Sequence, residues 1–152
     1  MEGYKCLVEL AGELPDTRLM HVADREANIL ALMRRADELG TPVDWLIRAI
    51  HDRALEGGEK QWGKVEQTES VGEVPFQMAS RPGQKARTVK QALRVRRVTL
   101  PAKAGRLEVT HMAAAEMDAP TDVKPVRWRL LTNRKVTRLD EQVELSEWYR
   151  AR

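Results

Sequence analysis

The sequence predicts a mixed α/β fold, and three observations carry that expectation. An apolar run over residues 19–23 ends on Asp24-Arg25-Glu26 and turns directly into an amphipathic stretch. A second apolar run, residues 43–47, follows at the spacing of a strand-helix-strand unit, which predicts a parallel strand pair. From Ala54 the character changes, and after a polar stretch the apolar residues recur at period two from Val71, as in half-buried strands.

In chain order, residues 1–12 read as a weak helix and Pro15-Asp16 as a turn, with a strand following over 18–23. Ile29, Leu32, Met33, Ala36 and Leu39 then mark one face of a helix, while Arg34, Arg35 and Glu38 mark the other. Gly40 stops that helix and Pro42 follows, the usual C-terminal punctuation. After the second strand comes a polar, glycine-bearing stretch over 56–67. Four period-two segments follow at 71–78, 89–100, 106–114 and 126–132, separated by turns at Arg81-Pro82-Gly83, 101–105 and 118–125. Thr137 and Asp140 open a final helix, on which Leu145, Trp148, Tyr149 and Arg152 share one side and Leu139 and Val143 another. A helix apolar on two sides needs more neighbours than this chain offers, and the chain closes on it as though cut from something larger. The expected organisation is a strand-helix-strand part over 1–53, a β-rich insertion over 54–125, and a return strand with helix over 126–152.

Composition narrows the function classes. The chain has 152 residues, 32% of them charged, and Phe and Tyr are scarce, so the core is thin. Net charge is only +3, but nine Lys or Arg fall between Arg81 and Thr110 against the single acid Glu108. A field of one sign suggests a polyanionic partner, most simply nucleic acid, against the plainer reading of a solvated face. The strand around Leu93 and Val95 carries Arg94 and Arg96 on its opposite face, so that one side packs while the other presents cations. The lone Cys6 excludes an internal disulfide framework and suggests a reducing compartment. No apolar stretch approaches 18 residues and no leader pattern opens the chain, so the expectation is a soluble, cytoplasmic protein without a membrane partner.

Asp24 is the candidate metal ligand and catalytic carboxylate, because a carboxylate at the end of a buried strand is where α/β folds hold metal ions. Its plain reading is the N-cap of the helix that follows. Trp128 on a strand reads as core. His21, His51 and His111 show no metal-ligand spacing, and Cys6 has no pattern that supports a nucleophile.

Five blocks in order, PDTRLMHVADREAN from Pro15 to Asn28, WLIR at 45–48, the stretch 86–100, PVRWRLLT at 125–132 and EWYRAR at 147–152, resemble the central part of bacterial DDE transposases of the insertion-sequence-four type. The similarity covers nearly the whole chain. It implies a partial ribonuclease-H-like core interrupted by a β-rich insertion. Asp24 matches the family's second acidic metal ligand, and Tyr149 and Arg152 match the first two positions of a Y-x2-R-x3-E-x6-K signature. The Glu of that signature and the first Asp of the triad have no counterpart in these 152 residues.

The activity that the resemblance implies is cut-and-paste transposition, in which phosphodiester hydrolysis and strand transfer use Mg²⁺ or Mn²⁺ held by several carboxylates. One Asp cannot place two ions, so the chain is expected to be inactive alone and to hold no metal tightly. The Trp of the W-x-L-L-T block implies a base-stacking role for Trp128, although Arg129 stands where the family has an apolar residue. The expected DNA contacts are Arg48, Arg53, Arg87, Arg94, Arg96, Trp128, Tyr149 and Arg152, with transposon ends and target as partners in a bacterial, nucleoid-associated setting. Exposed strand edges add an expectation of low stability, self-association or pairing with an intact transposase. The alternative class is a non-enzymatic DNA-binding or interaction module derived from a transposase.

Overall fold

The computed structural model describes residues 2–24, 29–55, 57–100 and 106–151. Its elements in chain order are α1 (Glu2–Glu13), β1 (Met20–Ala23), α2 (Ile29–Glu38), β2 (Asp44–Arg48), α3 (Gln61–Glu66), β3 (Gly72–Met78), β4 (Arg87–Leu100), β5 (Leu107–Glu116), β6 (Arg127–Thr132) and α4 (Leu139–Ala151). The fold is mixed α/β, as the periodicities predict. Among the described residues no helix is long and apolar enough to cross a membrane.

All six strands join one sheet in the order β1-β2-β6-β5-β4-β3. The β1/β2 pair is parallel, with Met20 opposite Asp44 and Ala23 opposite Ile47, and α2 makes the crossover between them. Every other pairing is antiparallel. The β-rich stretch therefore extends the sheet that the parallel pair begins, with β6 as the seam that pairs β2 on one side and β5 on the other. At the far edge, Pro75 lies in the middle of β3, a placement an edge strand tolerates because Pro has no N–H for a further ladder.

Strand alternation sorts the apolar side chains onto two faces. Trp45, Ile47, Val98, Leu100, Val109 and Leu131 share one face with Tyr4 of α1 and Leu32, Met33 and Ala36 of α2. The Tyr4 hydroxyl donates to the Val43 carbonyl at 2.8 Å, which anchors α1 to the parallel pair. Leu46, Met112 and Leu130 share the other face with Leu145 and Tyr149 of α4.

Two local expectations differ from the structure. A short helix, α3, stands inside the stretch read as irregular; its buried residues are Gln61 and Val65 alone, too few for an apolar period to show. Helix α4 packs through Gln142, Leu145, Ser146 and Tyr149, one continuous helical face, so Trp148 lies at its margin, 36% exposed. Gly40 ends α2 as expected: it adopts φ +72°, and the Thr41 amide donates to the Ala36 carbonyl at 2.7 Å.

Candidate nucleic-acid interface

Asp24 directly follows β1, at the carboxyl end of the parallel pair, the end at which open α/β sheets place their ligands. The β1/β2 register continues to set Asp24 beside Arg48, and the Arg48 Nη1 stands 3.7 Å from the Asp24 Oδ1. From the overlying α4, the Tyr149 hydroxyl donates to the same oxygen at 2.7 Å, closing a contact between residues 125 positions apart. Tyr149 is buried, whereas the Asp24 side chain keeps 48% of its surface in solvent.

An aromatic column leads away from this contact. The Trp128 ring meets Tyr149 edge-on at 5.6 Å, and Phe76 stacks on Trp128 at 5.4 Å with 22° between the planes. The Arg150 guanidinium lies 4.9 Å from the Phe76 centroid. Beside the column opens a cleft of about 500 Å³, to which Arg48, Arg81, Lys124, Arg127 and Arg150 contribute five cations.

The expected DNA residues divide. Arg48, Trp128 and Tyr149 come together at this cleft. Arg53 stands apart in a shallow pocket with Leu30, Ala54 and Leu100. Arg87 forms a two-pronged ion pair with Glu116, whose side chain is only 2% exposed, so its charge serves the fold. Arg94 and Arg96 face the opposite side of the sheet from Tyr149, and Arg94 donates from Nε to the Thr68 carbonyl at 3.0 Å. Arg152 lies outside the described residues. Phe76 and Arg150 join the site without any local motif to mark them, although the alternation of β3 already places Phe76 on the face that carries Trp128.

A second aspartate, Asp44, likewise has no motif around it. It is 4% exposed and receives Arg18 Nε at 2.9 Å, Arg18 Nη2 at 2.5 Å, Arg134 Nε at 2.8 Å and Asn133 Nδ2 at 2.7 Å. Burial pushes its carboxyl pKa up, and the hydrogen bonds from Arg18, Asn133 and Arg134 more than reverse that, leaving it below the ordinary value.

A Mg²⁺ pair needs bridging and flanking carboxylates. Among the described residues no group of three or more His, Cys, Asp or Glu side chains is placed to hold a metal ion, so Asp24 offers one ligand and these residues do not by themselves fit the pair. Compared with protein-family models and with curated proteins, the sequence matches none of them.

Proposed function

We propose that this chain is the central part of the catalytic domain of a cut-and-paste DNA transposase of the DDE type, a ribonuclease-H-like core with a β-rich insertion, which engages DNA in the bacterial cytoplasm at the cleft beside Asp24. The observation that carries the reading is the 2.7 Å hydrogen bond from Tyr149 to Asp24. The resemblance gives Asp24 as a metal ligand and Tyr149 as the first position of the signature that carries a further ligand, and the two meet across 125 positions at the carboxyl end of the parallel pair. The surrounding charge fits the same role, since phosphates entering a cleft with five cations displace counterions and are held without any reading of bases.

In this reading Arg48 and Arg150 hold the backbone, Tyr149 orients the Asp24 carboxylate, and the chain alone does not cut. Fluorescence anisotropy on a short duplex should give a dissociation constant of about 10⁻⁴ to 10⁻⁶ M at physiological salt, weakening steeply as salt rises. The double variant Arg48→Ala with Arg150→Ala should lower the logarithmic salt slope by roughly 2, about 0.9 for each phosphate that is no longer neutralised. Absence of salt-sensitive binding overturns the proposal. Nicking with Mg²⁺ or Mn²⁺ by the 152-residue chain, lost in Asp24→Ala, overturns the claim that it is inert alone.

A specific observation also favours the second reading, a non-enzymatic DNA-binding module: the described residues lining the cleft include five cations and no acid. A longer chain that adds the two further carboxylates separates the readings. Asp24-dependent cutting supports the transposase, and binding without cutting supports the module.

A further inference from the structure

The cleft beside Asp24 opens on the α4 side of the sheet, and a second basic groove opens on the reverse side. Cross-strand register places Arg94 beside Ala113, Ala113 beside Arg129, and Ala115 beside Arg127, all on that reverse face. These residues line a groove of about 250 Å³ whose floor is alanine methyl groups and whose walls are three guanidinium groups. Two of the walls are set in place. The Arg94 Nε donates to the Thr68 carbonyl, and Arg129 pairs with Glu66 at 2.6 Å while lying 4.1 Å from the Trp62 centroid. Among the described residues Glu66 is the only acid lining the groove, and it is already bound to Arg129.

The two openings share residues. Arg127 and Trp128 line both. The sharing follows from the sheet: β2 leaves β6 after the Ala49 amide donates to the Arg129 carbonyl, so Arg127 and Trp128 pair with β5 alone. The rim of β6 is therefore a place where a chain can pass from one face to the other.

We infer that the two openings form one path for single-stranded nucleic acid, which crosses the rim of β6 at Arg127 and Trp128 with its phosphates on Arg94 and Arg127. The inference rests on the reading of the first cleft as a DNA site. Stacked sheets lie only about 10 Å apart, so the two faces of one sheet are close together, and duplex DNA, with a persistence length of about 50 nm, cannot fold back from one to the other. A single strand bends freely at every nucleotide and stacks its bases on exposed rings.

The test uses the 152-residue chain with a 16-nucleotide single strand and a 16-base-pair blunt duplex, both followed by anisotropy across a salt series. Ala115→Glu puts a carboxylate on the groove floor and removes no side-chain hydrogen bond. It should weaken the single strand several-fold and leave the duplex within twofold. Arg94→Ala should lower the single-strand salt slope by about 0.7, the value for one phosphate contact. Single-strand affinity untouched by Ala115→Glu overturns the path, as does an equal loss for the duplex. Either of those results leaves the first cleft standing if Arg48→Ala with Arg150→Ala still weakens the duplex. Loss of all salt-sensitive binding in the unaltered chain overturns both.

Discussion

Asp44 and Asp24 stand at opposite ends of the same parallel strand pair, about 13 Å apart at the rise of a parallel strand. Asp44 is buried and receives four hydrogen bonds from Arg18, Arg134 and Asn133, enough to make its ionised form the favoured one. Asp24 keeps 48% of its side chain in solvent and has Tyr149 at hydrogen-bond distance with Arg48 at 3.7 Å. The first carboxylate is saturated and closed to any ligand. The second touches Arg48 and Tyr149 of the basic cleft and stays half exposed. Within one fold, the same residue type is scaffold where donors enclose it and a candidate site where half of its surface still meets solvent.

Removing the saturated carboxylate should have the largest effect. Asp44→Ala leaves the Arg18 and Arg134 guanidiniums facing each other across a buried gap, and breaking a buried pair of this kind costs about 3 to 5 kcal/mol. The Arg18 side chain is half exposed, which places the expectation near the lower figure, about 3 kcal/mol. Urea unfolding at pH 7 measures it. A loss below about 1 kcal/mol would make Asp44 no more structural than an ordinary surface residue.

His111 sharpens the rule from the other side, because it has burial without donors or acceptors. It is completely buried, neither ring nitrogen has a hydrogen-bond partner among the described residues, and its pKa is lowered to about 4, chiefly by burial and then by Arg129, with Asp52 opposing. As pH falls through 6.5 the unfolded chain takes up a proton that the folded chain refuses until about pH 4. The associated stability is complete above pH 6.5 and is lost progressively between 6.5 and 4. Its full size is about 3 kcal/mol, of which about 2 kcal/mol should be gone by about pH 5. Urea unfolding at about pH 7.5 and about pH 5 should show that loss in the unaltered chain and a smaller one in His111→Leu. Equal losses in both chains would assign the pH dependence to other groups.

Much of the fold is legible in the sequence because alternation and helical spacing are local. The strands at 18–23, 43–47, 71–78, 89–100, 106–114 and 126–132 match β1 to β6 within a few residues at each end. Helix α3 escapes because it buries one apolar residue, Val65, and lies among glycines. Asp44 escapes because its partners Arg18 and Arg134 lie 26 and 90 positions away, and nothing local within the strand at 43–47 marks it. Counting cations overstates the basic strand for the same reason: Arg87 finds Glu116 only once β4 and β5 pair. The contact of Asp24 with Tyr149 is not legible in the sequence either, since no local pattern links residues 125 positions apart.

Trp128 tests how far the contrast extends along the aromatic column. One of its ring faces is already covered by Phe76, so a base that stacks there must displace Phe76. Phe76→Ala should therefore raise the preference for a mismatched over a matched duplex, and Trp128→Ala should abolish it. Base stacking on an aromatic ring is worth about 1 to 3 kcal/mol, which sets the range of the change. A fluorescence titration of the three proteins on both duplexes measures it. Equal preferences in all three would return Trp128 and Phe76 to the core.

The smallest effect is expected at Asp24, and its sign is the informative part. Asp24→Asn keeps an oxygen to accept from the Tyr149 hydroxyl and removes one charge from a half-exposed position. Hydrogen bonds to neutral acceptors contribute about 1 kcal/mol, so unfolding free energy should change by no more than about that amount. Binding should move the other way. In the absence of divalent metal, the carboxylate repels incoming phosphates and draws on the charge of Arg48, so its loss should tighten duplex binding about two- to fivefold at low salt, an effect of about 0.4 to 1 kcal/mol. The gain should fade as salt rises, because exposed charges are screened within about 10 Å at 0.1 M. Anisotropy at two salt concentrations, without metal, reads both features. Weaker binding in Asp24→Asn would mean that the carboxylate holds Arg48 and Tyr149 in place for DNA, a structural role of the kind that Asp44 has at the other end of the strand pair.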